Sequence, residues 1–152
     1  MPSATENVLL GVFGQLISWF ENPANWPGAT VSIERNTDTP VTIPAGGAIV
    51  IRDGKITNKE YVIGTRTVFY SRAVEVEIYV ENAVASARDS AYDALSSAVG
   101  AAIESDTTVG GYAIGCLYDR DDQDIHPIDG SAGIKCAAVK VVFDYTSATP
   151  LS

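Results

Sequence analysis

The sequence predicts a single α+β domain in which a mostly antiparallel or mixed β-sheet packs against an N-terminal helix and a long central helix. In residues 67–81, apolar and polar side chains alternate with a period of two, which is typical of a strand with one buried face. In residues 5–20 and 83–104, apolar side chains instead recur every three or four positions, as in amphipathic helices. A chain of 152 residues is long enough for one domain with a sizeable core.

Charge and hydropathy exclude two classes of protein. A formal net charge of −9 opposes binding to nucleic-acid backbone, which requires clustered Lys and Arg, although it is compatible with a wall past which DNA moves. No apolar run approaches the roughly eighteen residues that a membrane span needs. The N-terminus lacks the basic region of a signal peptide. We therefore expect a soluble protein without an export signal.

The first predicted element is a helix over residues 5–20. Its apolar residues would form one continuous face: Val8, Leu9, Val12, Phe13, Leu16, Ile17 and Phe20. Thr5 is expected to cap the first turn. Gly11 and Gly14 each weaken a helix by roughly 1 kcal/mol relative to Ala, so we expect tight packing against the sheet to compensate.

The segment 29–63 is predicted to contain a short strand, ending near Asn36, and then an extended β-hairpin arm. Asp53-Gly54 is a strong signal for a two-residue turn. We therefore expect the two strands of the hairpin on either side of it, at 48–52 and 55–63. Pro and Gly residues before the first of these strands resist regular pairing, which favours an arm.

The stretch 67–81 is predicted to be the strand around which the sheet is built. Its even positions are mostly Val, Ile and Tyr and face the core, whereas its odd positions include Thr, Ser and Glu and face water or a partner. Such a strand spans roughly 50 Å at about 3.3 Å per residue, so we expect it to bend or bulge. Arg72 and Ala73 interrupt the pattern and mark the expected irregularity.

The second half of the chain is predicted to contain a helix over 83–104, with Asn82 at its N-cap, and a C-terminal hairpin over 111–145. The expected apolar stripe of the helix is Val84, Ala87, Ala91, Leu95, Ala98, Val99, Ala102 and Ile103. The strands of the hairpin are expected at 112–118 and 135–145, joined by a loop centred near Ile125 and His126.

That register would place the two cysteines, Cys116 and Cys136, opposite each other. Two cysteines are too few for a disulfide framework and lack the spacing of a metal site. Free thiols in a reducing compartment are the favoured interpretation, and a disulfide is the alternative.

The sequence contains few groups suited to catalysis. His126 is the one histidine, and it lies in an acidic loop without a GxSxG or similar nucleophile motif. The glycine pairs lack the context of a dinucleotide or phosphate-binding loop. We therefore expect no catalytic residue, no cofactor and no metal.

An Asp-rich segment covers residues 119–130. Its first, third and fifth residues carry the oxygen ligands of a calcium loop, but Asp124 stands where that loop needs glycine and Gly130 where it needs glutamate. A solvated hairpin tip is the favoured interpretation. An acidic interaction loop, a loop facing a lumen and calcium binding are the alternatives.

The order of the elements resembles that of the tail terminator, or tail-completion, proteins of long-tailed bacteriophages, prophages and gene transfer agents. The N-terminal helix is followed by a VSIERN strand, an IVIRDG segment, the long VEVEIYVE strand and an amphipathic helix. Asp106-x-x-x-Gly110-Gly111 and a closing VKVVFDYTS strand complete the series. The resemblance covers nearly the whole chain and depends on the order and spacing of these segments.

The resemblance implies a structural virion protein, assembled in the host cytoplasm as a homohexameric ring on the head-proximal end of the tail tube. Such a ring stops tube growth and offers a joining surface to a head-completion or neck protein. DNA passes through it without specific binding, and no catalytic residues are carried over. A tail tube or head-tail connector subunit is one alternative, and a small soluble enzyme with an unrecognised site is another.

Within such a ring, we expect contacts between copies on the arm and on the polar side of the central strand. The interface candidates are Arg52, Asp53, Glu75, Glu77 and Tyr79. An acidic channel lining repels phosphates, so the Asp-rich segment supplies the channel-lining candidates: Asp119, Asp121, Asp122 and Asp124.

Overall fold

The computed structural model describes residues 2–38, 42–118, 124–127 and 133–148, with only the backbone described at 117, 118 and 124–127. It confirms an α+β fold in a single domain. The elements in chain order are α1 (Ala4–Glu21), β1 (Ser32–Arg35), β2 (Ala48–Tyr61), β3 (Val68–Glu81), α2 (Ala85–Glu104), β4 (Gly115–Tyr118), β5 (Asp124–Pro127) and β6 (Ile134–Ser147).

The strands form one mixed sheet with β3 at its centre. The order across the sheet is β1-β2-β3-β6, and β4 and β5 both pair with the outer side of β6. β1 runs parallel to β2, and the other pairs are antiparallel. β3 pairs along its length with β6 on one side and, with interruptions, with β2 on the other. The prediction that the sheet is built around this strand is therefore confirmed.

Both helices cover the same face of the sheet, which we call the helix face. The apolar even positions of β3 are buried there, as the alternation predicted: Val68, Tyr70, Val74, Val76, Ile78 and Val80. β6 contributes side chains of one parity, including Phe143 and Tyr145. The rings of Tyr70 and Tyr145 stack across the two strands with their centroids 5.5 Å apart. The main core is thus a layer of two helices on one side of a sheet.

The prediction of a turn at Asp53-Gly54 is wrong, and with it the separate hairpin arm. β2 continues through both residues as a strand of the main sheet, and its register against β3 shifts between Asp53 and Ile56 and again before residue 58. These are β-bulges, in which β2 has more residues than the stretch of β3 opposite it. They lie opposite Arg72 and Ala73, where an irregularity was predicted.

The hairpin that exists joins β2 to β3 through residues 62–67. The backbone N–H of Val62 donates to the carbonyl of Thr67 at 3.1 Å, and Gly64 has a φ of +82°, which glycine adopts without strain. The turn therefore lies about ten residues beyond the Asp53-Gly54 signal.

The N-terminal cap of α1 is Ser3 rather than the predicted Thr5. The Ser3 hydroxyl accepts the backbone N–H of Glu6 at 3.1 Å. Thr5 lies inside the helix, where its hydroxyl makes a hydrogen bond of 2.7 Å with the hydroxyl of Tyr145. Thr5 thus joins α1 to β6 instead of capping the helix.

The predicted helix over 83–104 is present, but its first turns differ from expectation. The helix begins at Ala85 with Val84 at the N-cap, and Asn82 instead accepts the N–H of Val84 just before it. The N-terminal members of the predicted stripe are exposed, whereas Tyr92, which was not predicted, is buried. The remaining stripe, from Leu95 to Ile103, is buried as predicted. The helix therefore contacts the core mainly through its C-terminal half.

The predicted register of the C-terminal hairpin is wrong. Cys116 lies opposite Phe143, and Cys136 lies opposite Tyr79 and His126. The cause is β5, which occupies the edge of β6 near its start, so that β4 pairs farther along. Ile125 and His126 are consequently in a strand and not at the centre of a loop. Both cysteines are free thiols, as the favoured interpretation predicted.

The two glycines of α1 are expected to respond oppositely to replacement by Ala. A Cβ at Gly11 would lie 2.8 Å from the carbonyl oxygen of Val109, whereas a Cβ at Gly14 would meet nothing within 4 Å. Gly14→Ala should raise the free energy of unfolding by about 1 kcal/mol, because Ala is the better helix former. Gly11→Ala should lower it by about 1 kcal/mol, because the helix must move away from Val109.

Urea denaturation of the two variants beside the wild type measures both changes. An equal gain in stability from both would contradict the close contact at Gly11. The expected packing of these glycines against the sheet is wrong: Gly11 packs closely against Val109 in the loop after α2, and Gly14 is exposed.

Candidate interaction surfaces

The face of the sheet away from the helices, which we call the second face, has its own small apolar cluster. Its buried members come from the loop before β2 and from three neighbouring strands: Ile43, Ala48, Val50, Tyr79 and Cys136. They lie where β2 and β6 begin and β3 ends. This end of the second face is therefore covered within the chain.

Next to this cluster, Arg52, Glu77 and Tyr79 form a cross-strand network. The Arg52 Nε donates to one carboxylate oxygen of Glu77, and the Tyr79 hydroxyl donates to the other at 2.7 Å. Burial and the bond to Glu77 raise the pKa of Tyr79, so the phenol keeps its proton. The bond to Glu77 also raises the pKa of Arg52. The network is a fixed ion pair with a neutral donor, which suits a structural role.

Glu75 and Lys140 are two exposed residues of the second face. They are direct partners in the register of β3 and β6, and both side chains are exposed. Four of the five interface candidates, Arg52, Glu75, Glu77 and Tyr79, thus lie together on one face. Reversing the charge of Glu77 would break a network inside the chain, whereas Glu75 can be changed without that cost.

Asp53, the fifth interface candidate, lies apart from the others. It binds Arg35 of β1, whose Nε and Nη2 donate to its two carboxylate oxygens at 3.1 and 3.0 Å. Arg35 also binds Glu6 of α1 through two bonds of 2.7 and 3.0 Å, and this contact lowers the pKa of the Glu6 carboxyl. The Arg35 side chain is only 17% exposed. The cluster therefore joins α1, β1 and β2 at one corner of the sheet.

Sequence reasoning missed the role of Arg35, although the pattern contained a signal for it. Arg35 has the same parity as Val31 and Ile33, which pack against the core. A cation on the apolar side of a strand must be paired, because burying an unpaired charge is costly. That signal would have pointed to nearby carboxylates such as Glu6 and Asp53.

The Asp-rich segment lies largely outside the described residues. This holds for Asp119, Asp121 and Asp122, whereas Asp124 begins β5, where its backbone pairs with Ala138. Channel lining by this segment therefore stays a prediction, and calcium binding stays an untested alternative. Among the described residues, no group of three or more His, Cys, Asp or Glu side chains could hold a metal ion.

The Asp106-x-x-x-Gly110-Gly111 segment forms a hydrogen-bonded turn that ends α2. Asp106 accepts the N–H groups of Thr108 at 3.0 Å and Gly110 at 2.8 Å, and its pKa is lowered by its bonds to Thr108 and Gly110. Gln15 of α1, which sequence reasoning missed, donates to the carbonyls of Ala102 at 2.8 Å and Asp106 at 3.0 Å. The segment therefore fixes the end of one helix against the other.

The turn between β2 and β3 presents large apolar side chains to solvent. We call Tyr61, Val62 and Ile63 the hairpin tip; their exposed fractions are 66%, 44% and 98%. Turns are usually polar, so three consecutive exposed apolar residues are unusual. Sequence reasoning missed this surface because it assigned these residues to the end of a strand.

An open apolar groove of about 650 Å³ lies at the opposite end of the sheet, which we call the terminal groove. It is bounded by the C-terminal turns of α1, the loop after it and the edge strand β1. The lining residues are Ile17, Phe20, Glu21, Pro23, Trp26, Pro27, Gly28, Thr30, Val31 and Ile33. The ring of Trp26 meets that of Phe20 edge-on at 5.4 Å, and its Nε1 donates to the carbonyl of Ala29 at 2.8 Å. The groove is thus walled by ordered aromatic and aliphatic side chains.

The two cysteines are poorly placed for reaction. Burial raises the pKa of the Cys116 thiol and of the Cys136 thiol, so both are held in the protonated form. They project from opposite faces of the sheet, Cys116 toward the main core and Cys136 into the second cluster. The alternative of a disulfide between them is therefore wrong.

No protein-family model matches the chain, and no curated protein matches it. Within the described residues, no helix has the length and apolar character to cross a membrane.

Proposed function

We propose that this protein is a tail terminator: a structural subunit that forms a ring on the head-proximal end of a phage tail tube, stops tube polymerisation and joins the tail to the head or neck. The observation that carries the proposal is the one-sided cover of the sheet. Both helices pack on the helix face, which leaves the polar part of the second face and the hairpin tip directed to solvent in a single copy. Such surfaces suit contacts with further subunits.

The placement of the recognised segments supports the same proposal. The VSIERN segment forms the edge strand β1, the VEVEIYVE segment the central strand β3, and the VKVVFDYTS segment its neighbour β6. The segment with Asp106 and the glycine pair forms an ordered helix end. The segments that resemble those of tail terminators therefore form strands of the main sheet and the end of α2 in this chain.

Termination requires two different faces on one ring. A tail tube grows because each ring exposes the surface that the next ring recognises. A terminator binds the last ring through a surface like that of the tube subunit and offers a different surface on the other side, so another tube subunit does not fit. The specificity is one of shape and charge between proteins, and it requires no cofactor.

Deletion of the gene from the phage or prophage that encodes it is expected to give abnormally long tails of broadly distributed length, together with filled heads that lack tails. Negative-stain electron microscopy of lysates measures both. Complementation with the intact gene should restore a narrow length distribution. Loss of all tubes would instead identify a tube subunit. Unjoined tails of normal length would identify a connector, and joined tails of normal length would contradict every assembly role.

A further inference from the structure

We propose that the hairpin tip of one copy inserts into the terminal groove of the next copy, and that this contact links neighbouring subunits in the ring. The inference rests on the proposed function, since it names the contact by which that ring would form. Its components are two apolar surfaces that a single copy leaves exposed to solvent.

The hairpin tip is apolar, and its turn is closed by backbone hydrogen bonds. Ile63 is 98% exposed and Tyr61 66% exposed, so burial of both would remove considerable apolar surface from water. The turn behind them is ordered by backbone bonds from Val62 to Thr67 at 3.1 Å and from Thr65 to Val62 at 3.3 Å. An ordered loop loses less conformational entropy on binding than a mobile one.

The terminal groove has the size and chemistry to receive this tip. Its volume of about 650 Å³ lies within the range of sites that bury a small molecule or a few side chains. Phe20 and Trp26 supply aromatic walls, and Val31 and Ile33 supply an aliphatic wall on β1. Aromatic residues in well-packed pockets are frequent sites of strong binding between proteins.

The tip of one copy is too far away to reach its own groove. β1 lies beside the first residues of β2, with Ile33 opposite Ile49, whereas the tip follows the last residue of β2, Tyr61. The stretch of β2 from Ile49 to Tyr61 spans roughly 40 Å at about 3.3 Å per residue. The partner that brings both surfaces together is therefore a second copy. Because the two surfaces differ, the contact is head-to-tail and gives a closed ring when its rotation closes.

Charge favours the same pairing. The strands and turn at the tip carry Lys55, Lys59 and Arg66 against one acid, Glu60, in a chain of net charge −9. Lys59 is held beside the tip, with its Nζ 5.3 Å from the centre of the Tyr61 ring. Glu21 lines the groove, and Glu34 is exposed on the adjoining β1. The basic residues beside the hairpin tip and the acidic residues at the terminal groove attract each other and orient the encounter of two copies.

Ile63→Asp tests the contact with little risk to the fold, because the side chain touches almost nothing in one copy. Val84→Asp is the matched control: Val84 is 58% exposed and occupies the N-cap of α2, where Asp is favoured. Light scattering after size-exclusion chromatography measures the oligomer, and circular dichroism checks the fold. We expect the wild type and Val84→Asp to assemble, and folded Ile63→Asp to be monomeric at the same concentration.

Cross-linking tests the two surfaces directly. In a background with Cys116 and Cys136 replaced by Ala, proteins carrying Ile63→Cys and Thr30→Cys are mixed and oxidised. Thr30 is an exposed residue of the groove wall. A disulfide-linked dimer should form in the mixture, and it should not form when Val84→Cys replaces Thr30→Cys.

The outcomes separate the contact from the proposed function. If Ile63→Asp assembles like the wild type and the mixture gives no linked dimer, the tip-in-groove contact is overturned while a ring built through another surface stands. If the wild type stays monomeric at the highest attainable concentration and the mixture of cysteine variants stays unlinked, the contact and the self-assembled ring are both overturned.

Discussion

Gly54→Ala is expected to lower the free energy of unfolding by about 3 kcal/mol, because β2 and β3 cannot both keep their places around an added methyl group. A Cβ at residue 54 would lie 1.9 Å from the carbonyl oxygen of Ala73 on the neighbouring strand. The obstacle is backbone, so no side-chain rotation relieves it. Displacement of the strand would also strain the bond that Arg72 Nη1 makes to the carbonyl of Gly54 at 2.7 Å.

Urea denaturation in dilute solution measures the loss, with Gly115→Ala as the matched control. Gly115 is also a strand glycine, and a Cβ added to it would meet nothing within 4 Å. Its replacement should change stability by less than about 0.5 kcal/mol. A Gly54→Ala protein as stable as the control would contradict the close approach of β2 to Ala73 at this glycine.

The Asp53-Gly54 error shows what a local signal omits. Glycine permits a tight turn, but it also permits the close approach of two strands at a bulge, and the dipeptide does not distinguish them. The length of β3 does distinguish a turn from a bulge at this point. A buried strand of 14 residues needs partners of similar length, because its backbone N–H and C=O groups must be bonded on both sides. A hairpin that turned at residue 54 would have left half of that edge unpaired.

Periodicity predicted the elements better than their partners. The two helices, the central strand and its buried parity follow from regular spacing of apolar residues, and all are present. The register of β6 could not be derived, because it depends on β5 taking part of the same edge. The expected pairing of Cys116 with Cys136 was derived from the predicted register. Because that register was wrong, the expected proximity of the two cysteines was wrong as well.

The candidate surfaces were predictable only in part. Alternation in 67–81 placed Glu75, Glu77 and Tyr79 on one side, and the structure brings Arg52 to them. The terminal groove brings together α1, β1 and the loop between them, so it requires knowledge of the tertiary fold. The hairpin tip required the true position of the turn. Both surfaces of the inferred contact are therefore products of tertiary structure.

Arg35→Met is expected to lower the free energy of unfolding by about 2 kcal/mol at neutral pH, because it removes four charge-assisted hydrogen bonds but keeps the apolar stem. The expected loss is smaller than the summed free energies of four charge-assisted hydrogen bonds, because Glu6 and Asp53 are 41% and 32% exposed and water screens them. The expected loss is larger than that for an exposed ion pair, because Arg35 is largely buried. The two carboxylates would also be left close together without their shared cation.

The loss should depend on pH in a direction fixed by Glu6. The hydrogen bond from Arg35 lowers the pKa of Glu6 in the folded protein below its ordinary value of 4.5. A carboxyl with a lowered pKa stabilises the fold above its unfolded pKa, and this stabilisation is lost as the pH falls through the folded value. The wild type should therefore lose more stability on acidification than Arg35→Met does, and the gap between them should narrow.

Urea denaturation at neutral pH and at roughly pH 3 measures the gap. Lys140→Met is the control, since it removes one exposed cation from the second face, away from the Arg35 cluster. Its stability should follow that of the wild type at both values within about 0.5 kcal/mol. A gap between wild type and Arg35→Met that stays constant as the pH falls would show that Arg35 acts through the packing of its stem. A gap that closes would locate the stabilisation in the bonds that join α1, β1 and β2.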